Sequence, residues 1–563
     1  MAVKIEQNDF LYNAGIIGLL YLLKDAIEAK EDTDYKIESD AVSVSREILC
    51  RGSLADDYVN AFIQKFGDDS PFSLMMERVE KLHDMTQKYL KSDAKDDKKA
   101  IDEEYKYLLN NTGFLRASYL SGEQILKSKG YTLDLKTRCK QIKSIKDYAE
   151  KYDELLKLTN ELKQDECRKV FLFKDIIYSR VNSIWSNKAF LNRANAKKDM
   201  VKIYDDEFIA PMQEYLNKGV KEKKSSKHCI LCDSVLPSST ANISFLNDSV
   251  DDMSRKKSSF WDNKPDAFIC PICAFIYSLA PLGFTAMGRD MVFVNANLGI
   301  KELELINRGI SAKLDIMEIE DKNRTIYSLW NRIVLSIIES KEYEESNIQV
   351  IVREKDADKY SLNIIAKDVI GVLKESKNYL KAISSIRVKL RNGSYINVFN
   401  EVLKNILNRN DQYTLINKLF RESLDENKYT DYLKFILSIQ LICNKGADSN
   451  MGDNNFGKAR VMYYAGQDWR NFIKSDRGGS EDTDNKLRSL VFQLLNALQV
   501  RDMDRFMQVV FKTYTGSNMP IPGIFLQAFA GDDEFAYLGY AYVLGLKAVN
   551  EKKAEKELES ISK

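Results

Sequence analysis

Four of the eight cysteines in this 563-residue chain stand in two identical pairs, Cys229-Ile-Leu-Cys232 and Cys270-Pro-Ile-Cys273. A CxxC pair on a tight turn can direct both thiolates at one ion. Two such turns complete the tetrahedral Cys₄ set that Zn²⁺ prefers. The 37 residues between the pairs make a longer insert than a compact zinc ribbon has, so the ion would close a large loop. Scattered buried thiols or a single redox dithiol fit the repeated spacing less well. Four thiolates leave no coordination position for water, which makes the expected Zn²⁺ structural. A zinc deaminase would need a His-x-Glu ahead of Pro-Cys-x-x-Cys. Here Pro271 follows Cys270, and neither His83 nor His228 begins such a motif.

The rest of the composition narrows the chemistry. Two histidines in the chain argue against histidine-based acid–base or triad catalysis. Two-metal hydrolysis needs clustered carboxylates. Asp205-Asp206-Glu207 and Asp532-Asp533-Glu534 are consecutive, so their side chains diverge on any regular element. With 44% apolar residues, 30% charged residues and a net charge of +1, the chain reads as globular, and any basic surface must be local. Cys50, Cys139, Cys167 and Cys443 are dispersed, which points to a reducing cytoplasm. No signal peptide is apparent. Residues 267–288 carry no charge and approach the length of a membrane span. They contain two prolines, two glycines and one cysteine pair, so a metal knuckle feeding a buried helix is the expectation, with no membrane.

The elements that must position the cysteines read as α+β. Asn8-Asp9 precedes an apolar run containing Asn13, Gly15 and Gly18, a helix start followed by glycines that permit close packing. Tyr35–Ile37, Ala41–Val44, Met291–Val294 and 347–352 read as strands, and 91–106 as a solvated charged helix or loop. Helical periodicity dominates from 140 to 220 and again after 411. The polar break Gly446–Gly457 is the expected domain boundary. The organisation expected is an N-terminal mixed domain (1–220, continued at 301–444), an inserted zinc-finger segment (221–300), and an all-α C-terminal bundle (451–563). Gly452-Asp-Asn-Asn-Phe-Gly457-Lys458-Ala459 has P-loop spacing, but Ala459 stands where Ser or Thr must hold magnesium.

Cations gather in three places. Lys221, Lys223, Lys224 and Lys227 lead into the first pair, and Arg255, Lys256 and Lys257 lie in the insert. Arg387, Lys389 and Arg391 alternate, which on a strand puts three cations on one face as a phosphate track. From Arg180 to Lys227 there are eleven Lys/Arg against six Asp/Glu. Trp185, Asn187, Phe190, Asn192 and Asn195 are interleaved, a mixture suited to phosphate contact and base stacking or to a solvated helix face.

The Asn13–Gly18 segment, the two widely spaced CxxC pairs and the helical C-terminal part together resemble the CXXC–CXXC family of large subunits from type I-B CRISPR surveillance complexes (Cascade). The resemblance implies that Cys229, Cys232, Cys270 and Cys273 are the zinc ligands. It implies a non-catalytic, cytoplasmic, prokaryotic subunit working with crRNA, target double-stranded DNA and other Cascade subunits (backbone, crRNA 5′-end-binding and small subunits). Such a subunit reads the protospacer-adjacent motif (PAM) in duplex DNA, helps open it, guides the displaced strand and docks a helicase–nuclease. The C-terminal part resembles the small subunit, which an internal start at Met451, or next at Met462, could supply separately. A zinc-containing nucleic-acid-processing enzyme or nuclease accessory is the alternative reading of the residues.

Overall fold

A computed structural model describes residues 2–92, 95–218, 227–236, 241–246, 268–296, 298–317, 348–355, 359–391, 393–423, 432–445, 452–476 and 481–547. The chain is α+β: mostly helical, with small antiparallel sheets and a cysteine-cluster segment set into its first half. It divides into two compact units, the first ending at Ile364 and the second running from Ile365 through the C-terminal helices.

The first unit is built on one buried helix, Phe10–Tyr21. Asp9 starts it by accepting hydrogen bonds from the amides of Leu11 and Tyr12 at 2.9 and 3.1 Å, an N-cap that satisfies two otherwise orphaned donors. Leu11 through Leu20 are all buried, as a helix apolar on every side must be. Strand Ala2–Glu6, whose Val3-Lys4-Ile5-Glu6 alternates apolar and polar, leads into the helix. It pairs antiparallel with Ala41–Ser45, and Tyr35–Ile37 pairs on the other side. The buried Asn13 amide donates to Asn295 at 3.0 Å and so ties the helix to strand Asp290–Ala296. That strand lies in a four-stranded sheet ordered Thr285–Met287, Asp290–Ala296, Ile348–Glu354, Lys359–Ile365. Gly288, at φ +58°, opens the two-residue turn between the first two strands, where a side chain would be strained.

Within the uncharged stretch, the described residues from 268 form strand Phe268–Ile269, two short helices, Pro271–Ser278 and Ala280–Gly283, and strand Thr285–Met287. No described helix is long and apolar enough to cross a membrane. These two helices cross the first helix at backbone contact. A β-carbon on Gly15 would overlap the Ile276 carbonyl, one on Gly18 the Leu279 carbonyl, and one on Gly283 the Ala14 carbonyl. The far end of Pro271–Ser278 is held too. The Ser278 carbonyl accepts from Tyr58 Oη at 3.2 Å and Trp185 Nε1 at 3.3 Å, and Ser278 Oγ lies 2.6 Å from Tyr204 Oη.

Trp185 and Phe190 are 0% and 1% exposed, and Asn195 is buried. They belong to the core beside Tyr204 and Phe208, so they can neither stack on bases nor form a solvated face.

The second unit opens with helices Lys367–Glu375 and Lys377–Ile383, a hairpin of Arg387–Lys389 and Tyr395–Asn397, then helices Val398–Leu407, Tyr413–Ser423 and Tyr432–Lys445. Helices Gly452–Asp476, Glu481–Gln499, Met503–Thr515 and Asp532–Lys547 follow. The division falls at Ile365, not at the 446–457 break, so 365–444 does not continue the N-terminal domain as expected. Side chains show why: Asn417 donates to the Leu495 carbonyl at 2.9 Å and to Tyr540 Oη at 3.0 Å, and Arg421 donates to Asn496 and Gln499. Met451 lies outside the described residues. Met462 is fully buried in helix Gly452–Asp476, and that helix runs straight through the P-loop-like stretch.

Close packing at Gly18 gives a direct test. Gly18→Ala should cost about 1–3 kcal/mol of overpacking and lower the thermal midpoint of the first unit. Gly371→Ala should leave the midpoint unchanged or raised, because nothing lies within 4 Å of a β-carbon there. Equal midpoints for the two variants would refute the backbone contact.

Candidate metal centre

The first cysteine pair sits on a short hairpin. His228 bridges Val235 in antiparallel fashion, the Cys229 amide donates to the Ser234 carbonyl at 2.9 Å, and the Asp233 amide donates to the Cys229 carbonyl at 3.0 Å. Asp233 closes the turn at φ +54°, a left-handed conformation that Asp tolerates better than most residues. The second pair begins a helix. Cys270 is the N-cap of Pro271–Ser278, Pro271 takes the first position, and the Cys273 amide points at Cys270 Sγ from 3.4 Å. Proline suits that position because its missing N–H is an orphan there anyway, and a helix N-terminus favours thiolate over thiol. The Ile230 amide donates to the Phe268 carbonyl at 3.1 Å and locks the two turns together.

The four sulfurs all lie within 4.8 Å of one another, with Cys232 and Cys270 3.7 Å apart. A tetrahedral ion with metal–sulfur bonds of about 2.3 Å needs sulfurs about 3.8 Å apart, so the set fits such an ion. Cys229, Cys270 and Cys273 are buried and Cys232 is exposed. Without an added positive charge, the sulfurs compete for protons. Hydrogen bonding from Cys232, Cys270 and Cys273 holds Cys229 far below the ordinary thiol range. For Cys232 the strongest single influence is the upward push of its hydrogen bond with Cys229, but Cys270 and Cys273 together pull it down to about 6. Cys270 and Cys273 are driven upward, foremost by their hydrogen bonds with Cys229. Four thiolates this close together cannot coexist alone, and a bound cation would resolve the conflict.

Two tyrosines that spacing does not flag cover the cluster. Tyr12 Oη lies 3.4 Å from Cys273 Sγ, and its ring packs edge-on against Tyr277 at 5.3 Å. Tyr277 donates to the carboxylate of Asp9, the N-cap of the first helix. The Tyr215 hydroxyl donates to the Val235 carbonyl at 3.0 Å and steadies the hairpin.

The expected cations are less collected. Lys221, Lys223, Lys224, Arg255, Lys256 and Lys257 lie outside the described residues. Lys227 is exposed, with Nζ 4.0 Å over the Phe268 ring. Arg387 and Lys389 do share the exposed face of the second unit's hairpin. The strand ends at Lys389, however, and Arg391 enters the turn, where its amide donates to Glu422 and its guanidinium to the Arg421 carbonyl. The three-cation track therefore reduces to two cations, joined on that face by Asn397 and the exposed Tyr395 across the ladder.

About one tetrahedral metal ion per chain is expected by elemental analysis, as one Cys₄ site requires. Acidification should release it as protons reclaim the thiolates. Cys270→Ser should lose both the ion and solubility. A soluble Cys270→Ser protein that keeps a stoichiometric ion would show that the four sulfurs do not form the site.

Residues 222–285, which carry both pairs, match the family model described as "CRISPR-associated protein (Cas_CXXC_CXXC)". No curated protein and no solved structure matches the chain. The matched stretch is the one that builds the cysteine cluster, and the match supports a CRISPR-associated protein with a cluster able to hold a metal ion.

Proposed function

We propose that the chain is the non-catalytic large subunit of a type I-B CRISPR Cascade effector. In this reading it recognises the PAM in target DNA, helps unwind the duplex, guides the non-target strand and provides the docking surface for a helicase–nuclease. The observation that carries the proposal is the coincidence of the family match with the cysteine centre and its packing on the first helix. The metal is Zn²⁺ in a structural role: an all-thiolate donor set suits it, and four thiolates leave no position for substrate or water. Its partners are crRNA, target duplex DNA and the backbone, 5′-end-binding and small subunits. The division of labour is physical: base pairing reads the target sequence, while protein grips backbone and reads a short duplex motif.

The test is purification from the native host through a tag on this chain, with RNA extraction and zinc analysis. Recovery of a short guide RNA, several further subunits and about one zinc per chain is the expected result. A lone, RNA-free protein overturns the proposal and favours a zinc-containing nucleic-acid-processing enzyme.

A further inference from the structure

Ser186–Lys198 is a rigid loop whose making the metal centre does not require. It contains two single-turn 3₁₀ segments, Ala189–Leu191 and Arg193–Asn195. Asn187 and Ala189 hold left-handed backbone at φ +58° and +48°, a conformation that costs an alanine on the order of 1–3 kcal/mol. The surroundings enforce it. Glu207 accepts from the Ala189 amide at 2.8 Å and from the Asn195 side chain at 3.2 Å. Asn195 also donates to the Ala189 carbonyl at 3.0 Å, and the buried Lys174 ammonium donates to the Ala196 carbonyl at 2.7 Å. At its base the Ser186 amide donates to the Phe245 carbonyl at 2.8 Å. That contact joins the loop to the insert between the two cysteine pairs, whose strand Ala241–Asn242 runs beside Phe268–Ile269.

What this scaffold presents is basic and amide-rich. Asn187, Asn192, Arg193, Lys197 and Lys198 are exposed, and so is Lys202 on the following helix. Asn192 uses its carbonyl oxygen on the Ala194 amide at 3.0 Å, which leaves its NH₂ group for a ligand. From Ser186 to Tyr204 the chain has five Lys/Arg and one acid. That acid, Asp199, is paired with Lys129 at 3.0 Å. The aromatic rings of the segment all face inward: Trp185, Phe190 and Tyr204 are at most 1% exposed.

We propose that this loop is a duplex-DNA contact surface, with Arg193, Lys197 and Lys198 on backbone phosphates and the Asn187 and Asn192 amides toward the groove. The inference rests on reading the chain as a nucleic-acid-recognition subunit and names the surface that does the gripping. Cations and amides are the donors that phosphates and base edges accept. Unpaired strands need exposed aromatic faces for stacking, and this loop offers none, so the duplex is the partner. A loop already fixed by buried partners loses little entropy on binding.

The test is fluorescence anisotropy of labelled duplex DNA with the purified full chain, titrated across salt concentrations. The double variant Arg193→Ala/Lys197→Ala changes only exposed side chains. It should bind roughly tenfold or more weakly at 0.1 M salt, with the log–log salt slope reduced by about 1.8, the contribution of two phosphate contacts. Lys157→Ala, an exposed cation elsewhere, should bind as wild type does, and single-stranded DNA should respond less to the double variant than duplex does. An unchanged slope in a double variant that still co-purifies with guide RNA overturns the loop assignment and leaves the proposed function standing. A wild-type chain that carries no RNA and binds no duplex overturns both.

Discussion

Contact between backbones, not between side chains, organises the first unit. Gly15 and Gly18 on helix Phe10–Tyr21 meet the carbonyls of Ile276 and Leu279, and Gly283 meets that of Ala14. Two helices brought this close share one interior, so whatever fixes one fixes the other. Asp9 caps the first helix and receives the Tyr277 hydroxyl, Tyr12 covers Cys273, and Ser278 gathers Tyr58, Trp185 and Tyr204 at the opposite end. The helix that begins with the cysteines therefore ends in the aromatic core. The second unit uses the same device, with Gly545 against the Tyr463 carbonyl and Gly466 against that of Tyr542.

The cysteine centre adds the electrostatic half of this arrangement. Its sulfurs are mostly buried and close enough to contend for protons, which is unfavourable until a cation shares their charge. Once it does, the ion closes the insert at both ends, and the insert's described segments reach the base of the Ser186–Lys198 loop through Phe245 and Leu246.

Much of the framework was legible in the sequence, for identifiable reasons. Repeated CxxC spacing pointed to a four-sulfur cluster, Asp9 ahead of an apolar run marked a helix start, and Gly15 and Gly18 signalled a close crossing. Strands Tyr35–Ile37 and Met291–Val294 carried enough β-branched and aromatic residues to declare themselves. What escaped depends on partners far away in sequence. Trp185 and Phe190 sit among asparagines and lysines and look exposed until Tyr204, Phe208 and Phe245 enclose them. The polar break at 446–457 looks like a boundary because the hydrogen bonds from Asn417 and Arg421 that bind helices on its two sides leave no local pattern. Tyr12 and Tyr277 lie 265 positions apart, and no spacing rule joins them.

The separation of the two crossing helices also has a consequence for synthesis. Helix Phe10–Tyr21 leaves the ribosome about 250 residues before Pro271–Gly283, a delay on the order of 10–50 s at ordinary elongation rates. Its strands Ala2–Glu6, Tyr35–Ile37 and Ala41–Ser45 can pair at once, but its glycine face has no partner until the second cysteine turn emerges. During that interval the helix's glycine face stays uncovered, and closure of the core waits for the second cysteine turn.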